Sequence, residues 1–247
     1  MLRVISLAAF CSMASMRVCD PMLVSLAREF SVTTGDASAV IAAFAVSYGV
    51  LQLFYGPLGD RLGKVRVVIG ATFACALFSG VTALAPTLPV LVAARAAMGA
   101  SAAGIIPLSM AWIGDNVPYE QRQETLAQLM VATVSGMMAG QWFGGFAVEA
   151  LGWRAAFVVL SLLFLTAASL LWRQSRAMAA STPAPAAGSA VPPAFSLSAY
   201  LANTAALLRM PRVRWVLTVV AVEGALAFGT LAFVPARMVD GFGLSAS

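Results

Sequence analysis

Long apolar stretches alternate with short polar breaks along most of the chain. Seven stretches, at residues 4–27, 37–58, 65–85, 88–113, 125–148, 154–172 and 213–236, can each cross ~30 Å of hydrocarbon at the helical rise of about 1.5 Å per residue. The breaks between them hold most of the charges, prolines and turn residues. The stretches are rich in Ala, Gly, Leu and Met and show no strict two-residue alternation, so they predict helices rather than barrel strands. The expected fold class is an all-α, multi-pass membrane protein. The opening "MLRVISLAAF" also has the basic start and short apolar core of a secretory signal. Its apolar character continues past Arg17 and Asp20 to Ala27 with no small-x-small site before a polar region, so a retained span is expected.

Composition supports the same class. Hydrophobic residues make up 61% of the chain, more than a soluble domain of this length can hide. The net charge of +5 would fit a polyanionic partner, but its distribution explains it otherwise. With the N-terminus inside, the inner connections hold Arg3, Arg61, Lys64, Arg66, Arg122, Arg173, Arg176, Arg209, Arg212 and Arg214. The outer ones hold Arg28, Arg154 and Arg237. This bias predicts a cytoplasmic N-terminus in a cell (inner) membrane, and no nucleic-acid partner. Cys11, Cys19 and Cys75 fall inside spans and read as small buried side chains. The chain has no histidine, and no nucleophile–base set, phosphate loop or metal cluster is visible. Neither an enzyme nor a metal or cofactor is expected.

The break "GPLGDRLGKVR", Gly56 to Arg66, gathers four of the 25 charged residues into eleven positions. Gly56, Gly59 and Gly63 predict a tight turn between two helix ends, with Pro57 breaking the second helix. A positive-inside bias accounts for Arg61, Lys64 and Arg66 but not for Asp60 between the glycines. Gly56, Leu58, Gly59, Asp60, Arg61, Gly63 and Lys64 are similar to the signature between spans two and three of the major facilitator superfamily. The resemblance implies a conformational latch, in which the aspartate pairs with a helix end of the other half-bundle while the cytoplasmic side is closed.

Further segments resemble the same family in the same order. "RAAMGASAAG", Arg95 to Gly104, is similar to the fourth-span motif whose buried arginine is tied to proton coupling, with Gly99 in its glycine position. "GMMAGQWFGG" resembles the fifth-span motif of the drug/proton antiporter branch, with Gly136, Gly140, Gly144 and Gly145 in place and Gln141 where the family has proline. Glycines four apart also suit ordinary close helix packing. In "IGDNVPYEQR", Asp115 and Arg122 lie on the side of Asp60 and Arg61, either as one charge cluster with them or as solvated loop charges. "LGWRAAF" before the sixth span is also familial.

The resemblance divides the chain into an N-terminal six-span bundle at residues 1–176, a cytoplasmic Ala/Pro/Ser-rich linker at 177–211, and the first span of a second bundle at 212–247. "FGLSA" at Phe242–Ala246 weakly repeats "FSVTT" at Phe30–Thr34, as parallel half-repeats would. Charges inside spans are the candidate functional residues, since exposing them to lipid is costly. Arg17 and Asp20, three apart, share a helix face and form either a proton-carrying group or a fixed pair. Burial favours the neutral acid while Arg17 favours the carboxylate, so the balance can shift as a cavity opens. Glu223 in the seventh span is expected to face the bundle interior. Tyr48 and Gln52 offer cavity hydrogen bonds or interhelical packing.

The resemblance implies a secondary transporter working by alternating access. The expected activity is proton-coupled export of a small organic solute or drug, its partners being that solute, protons and the lipid bilayer. Uptake by symport and a truncated, non-transporting membrane fragment are the alternatives. A half-bundle on its own is expected not to transport, and self-association would cover its intramembrane charges.

Overall fold

The computed structural model describes residues 1–181 and 197–242, and every regular element among them is helical. The first span is built in two pieces: α1 (Leu2–Arg17), a single 3₁₀ turn at Asp20–Met22, and α2 (Leu23–Glu29). Pro21 supplies no N–H to the carbonyl four residues before it, that of Arg17, and the helix breaks there. A capping box between Thr33 and Asp36 then starts the short α3 (Thr34–Ala37), and α4 (Ala39–Leu62) carries the second span.

The helix α4 runs straight through Pro57, against the break expected there. Pro57 leaves the Leu53 carbonyl without its helical donor, and the Tyr200 hydroxyl donates to that oxygen instead. The predicted three-glycine turn is also smaller than expected. Gly56 and Gly59 lie within α4, and Gly63 alone, at φ 89°, separates it from α5 (Lys64–Ala83). Gly59 packs against the Leu108 side chain, while Gly56 faces open space.

The fourth span is also divided, into α6 (Leu88–Ala102) and α7 (Ile105–Asn116). Pro107 accounts for this break as Pro21 does for the first, by depriving Ala103 of a helical donor. Both divided spans are those that carry buried charges. After them come α8 (Tyr119–Ala150), the positive-φ turn at Gly152, and α9 (Trp153–Ser181). Next are α10 (Leu197–Arg209) and α11 (Pro211–Phe242). Thus α9 enters the predicted linker and α10 fills its C-terminal part, while 182–196 lie outside the described residues.

Six of the described helical spans are long and apolar enough to cross a membrane. They match six of the seven expected; α8 is long enough but less apolar, bearing Gln128, Gln141 and a row of glycines. Those glycines fit against α1. A Cβ at Gly136, Gly140 or Gly144 would lie on the carbonyl oxygen of Phe10, Ala14 or Val18 respectively. The two rows advance together, so α1 and α8 run parallel in backbone-to-backbone contact. In the same way α6 lies along α4, where Gly99 meets the Phe44 carbonyl. Between α5 and α9, running antiparallel, the Ser79 hydroxyl donates to the Phe157 carbonyl at 3.0 Å and Ser161 to the Ala76 carbonyl at 2.7 Å.

Candidate functional site

The packed helices bring three of the predicted charges into the interior. Arg17 Nη1 lies 3.0 Å from Asp20 Oδ2, and both side chains are buried across the break between α1 and α2. Among the described residues neither Asp20 oxygen accepts a hydrogen bond, so its charge is balanced by Arg17 alone at contact distance. From α6, Arg95 enters with no exposed surface. Its Nη1 donates to the Ser15 carbonyl at 2.9 Å and meets Met98 Sδ at 3.5 Å. Its Nε and Nη2 have no hydrogen-bond partner among the described residues. The guanidinium lies 4.3 Å from the Phe44 ring centroid and 5.8 Å from that of Phe157.

Phe44 and Met98 belong to one apolar cluster and Phe157 to the other, so Arg95 sits where the two halves of the core meet. Phe44 stacks on Tyr48, with centroids 6.0 Å apart and planes 19° from parallel. Tyr48 is thereby joined to the arginine through a ring rather than through its hydroxyl. Gln52, its neighbour in the sequence reading, is exposed on α4. Beside the charge group a cavity of about 320 Å³ opens between α1, α4 and α11, lined by Arg17, Phe44, Gly224 and Phe233 among others. Glu223, expected to face the interior, is exposed on α11 instead. Outside its neighbour α10, α11 touches the bundle chiefly at the Asp20–Met22 turn.

At the other predicted site, Lys64 pairs with Asp115 and lies 3.9 Å from Asp60 Oδ1, joining the end of α4 to the end of α7. Arg122 stands apart from this group. Its Nε donates to the Val117 carbonyl at 2.9 Å and its guanidinium lies 6.0 Å from the Tyr119 ring. Asp60 remains largely exposed, as does Arg61. Among the helix-packing residues, Gly99, Gly136, Gly140, Gly144 and Gly145 are all buried.

Three features escaped the sequence reading. Tyr55 donates its hydroxyl to the Ala100 carbonyl at 3.0 Å, and its ring packs against Gly104 at the break between α6 and α7. Tyr200 bonds to Leu53, as above. At the opposite end of the bundle, Glu29 accepts from both Trp153 Nε1 and Arg154 Nη1, and Arg154 Nη2 donates to the Ala85 carbonyl at 3.2 Å. "LGWR" was a signal for part of this clasp, but nothing in the sequence ties it to Glu29, more than a hundred positions away.

A sequence profile of the Major Facilitator Superfamily matches residues 5–247. The chain belongs to this superfamily. Its relatives include the multi-drug resistance efflux pump PmrA of Streptococcus pneumoniae, 32% identical over 53% of this chain and 33% of that protein. The multidrug export protein EmrB of Haemophilus influenzae is 25% identical over 68% of this chain and 33% of its own. A transcription regulatory protein, OpdE of Pseudomonas aeruginosa, is 29% identical over 83% and 50% respectively. The chain thus spans a third to a half of the length of these relatives. Among solved structures, a bacterial homologue of the human lysosomal transporter Spinster, inward-facing and unoccupied, superposes with a TM-score of 0.76. It shares 18% identity, over 99% of this chain and 56% of that one, which establishes the major facilitator fold.

Proposed function

We propose that this major facilitator chain forms the proton-handling half of an exporter for a small organic solute, working by alternating access. The observation that carries the reading is the buried charge group of Arg17, Asp20 and Arg95 beside the cavity between α1, α4 and α11. An arginine within a span costs about 2.5–3.5 kcal/mol on insertion scales, and here two are buried against a single carboxylate. Among the described residues Asp20 has its ion pair with Arg17 but accepts no hydrogen bond that would fix it as a structural carboxylate, which leaves it able to accept a proton. In the exporting cycle Asp20 takes a proton from the outer side as solute leaves, then gives it up to the cytoplasm as the cavity reopens. The export names of PmrA and EmrB support the direction. The group at Asp60, Lys64 and Asp115 is the latch face of this half, a reading supported by the exposure of Asp60. The N-terminus and the segment following α9 lie in the cytoplasm, on the loop-charge bias.

The test is Asp20→Asn in the full-length transporter, reconstituted in proteoliposomes. Uphill flux driven by an imposed pH gradient is expected to vanish, while solute exchange at equal concentrations persists. Uphill flux that is unchanged across the pH range makes the Arg17–Asp20 pair structural.

A further inference from the structure

The largest cavity among those described lies away from the charge group, on the outer flank of the bundle between α5 and α9. Its volume is about 680 Å³. Two arginines line it, Arg66 from the first turn of α5 and Arg176 from the last turns of α9, and among the described residues no carboxylate does. Among the described residues neither arginine forms an ion pair, and the Arg176 guanidinium lies over the Trp172 ring, 4.8 Å from its centroid. Apart from Ser175 the rest of the lining is mostly apolar, with Ile69, Phe73 and Met178 among it. Both arginines belong to the set that the loop-charge bias puts at the cytoplasmic interface.

We infer that this cavity is a binding site for the headgroup of one anionic phospholipid of the cytoplasmic leaflet. Two guanidinium groups that line one cavity, with no acidic partner among the described residues, are complementary to a phosphodiester that carries a full negative charge. A zwitterionic lipid offers the same phosphate but sets an ammonium beside it, which the arginine pair repels. Trp172 lies four residues before Arg176, and its ring packs against the guanidinium that would meet the headgroup. Ile69 and Phe73 continue the groove along α5 toward the membrane interior, as the start of an acyl chain requires. Basic pockets between helices on the cytoplasmic side recognise anionic headgroups by the same electrostatics. A bound lipid at this seam bridges α5 and α9, between which there is no ion pair among the described residues.

Native mass spectrometry of the delipidated 247-residue chain in detergent tests this, with dioleoyl phosphatidylglycerol and dioleoyl phosphatidylcholine added in parallel. Wild type is expected to retain one phosphatidylglycerol several-fold more strongly than phosphatidylcholine. Arg66→Gln with Arg176→Gln should bring the two lipids level, whereas Arg66→Lys with Arg176→Lys keeps part of the preference. Arg209→Gln with Arg214→Gln makes the same change in charge elsewhere and should leave the preference intact. Equal retention of the lipids by wild type overturns the proposal, as does equal loss in both glutamine variants, which marks diffuse attraction to a basic face. Displacement of phosphatidylglycerol by millimolar glycerol 3-phosphate overturns the lipid assignment in favour of a soluble anion.

Discussion

At the scale of single residues, Arg95 separates function from stability. Its guanidinium is fully buried with two nitrogens that have no hydrogen-bond partner among the described residues, and burying an incompletely bonded charge costs stability that an apolar side chain of similar size does not. Arg95→Met in the full-length protein should therefore melt within a few degrees of wild type, or above it, while gradient-driven transport falls by at least about tenfold. Melting well below wild type would make Arg95 a structural residue held by Ser15 and Phe44. Tyr200 makes the opposite prediction. Its hydroxyl satisfies the carbonyl that Pro57 leaves open, so Tyr200→Phe removes a hydrogen bond worth about 1 kcal/mol. Amides of α10 should then exchange with deuterium faster, with α1 and α8 unaffected. The sequence made Arg17, Asp20 and Arg95 visible because a charge inside an apolar run admits few explanations. It misplaced Glu223 because the run alone does not say which face of α11 is covered, and it could not pair Tyr200 with Leu53 across 147 positions.

At the scale of helices, the glycines were legible as a pattern but not in their separate roles. Gly136, Gly140 and Gly144 look in the sequence much like Gly56 and Gly59, yet a Cβ on any of the first three would meet the backbone of α1 or of Val18 at its end, while one on Gly56 would meet no described atom within 4 Å. Spacing reports a face; it does not report whether another helix lies on it. The turn was overestimated for the same reason, since positive φ is needed at Gly63 alone. A matched pair of alanine substitutions exposes the difference. At Gly140 the new methyl meets the carbonyl of Ala14, a rigid backbone atom, so α1 and α8 must part or shift. The cost expected from overpacking is about 1–3 kcal/mol. At Gly56 the methyl enters open space within a helix, where alanine is favoured over glycine by up to about 1 kcal/mol. Thermal melting in detergent should show Gly140→Ala several degrees below wild type and Gly56→Ala at or above it. Equal behaviour of the two would mean that the glycine row does not hold α1 to α8.

At the scale of the whole molecule, the fold class followed from hydrophobic pattern alone, because a bilayer admits so few arrangements of a polypeptide. Orientation rests on a separate argument, the excess of Lys and Arg in alternate connections. The structure adds a practical means of testing it. Cys11, Cys19 and Cys75 are all buried, so a single introduced cysteine can be followed without removing the native ones. Thr87, between α5 and α6, and Glu120, at the start of α8, are both exposed and lie at opposite ends of the fourth span. An odd number of crossings separates them, so they must differ in side whatever the orientation. The charge bias places Thr87 outside and Glu120 inside. In intact cells a membrane-impermeant maleimide should label Thr87→Cys and spare Glu120→Cys, and permeabilisation should make both react. The reverse pattern inverts the topology and moves Arg66 and Arg176 to the outer leaflet. It also puts the Glu29, Trp153 and Arg154 clasp on the cytoplasmic side. Labelling of both sites in intact cells would show that the fourth span does not cross, and the division into α6 and α7 would then mark a re-entrant segment.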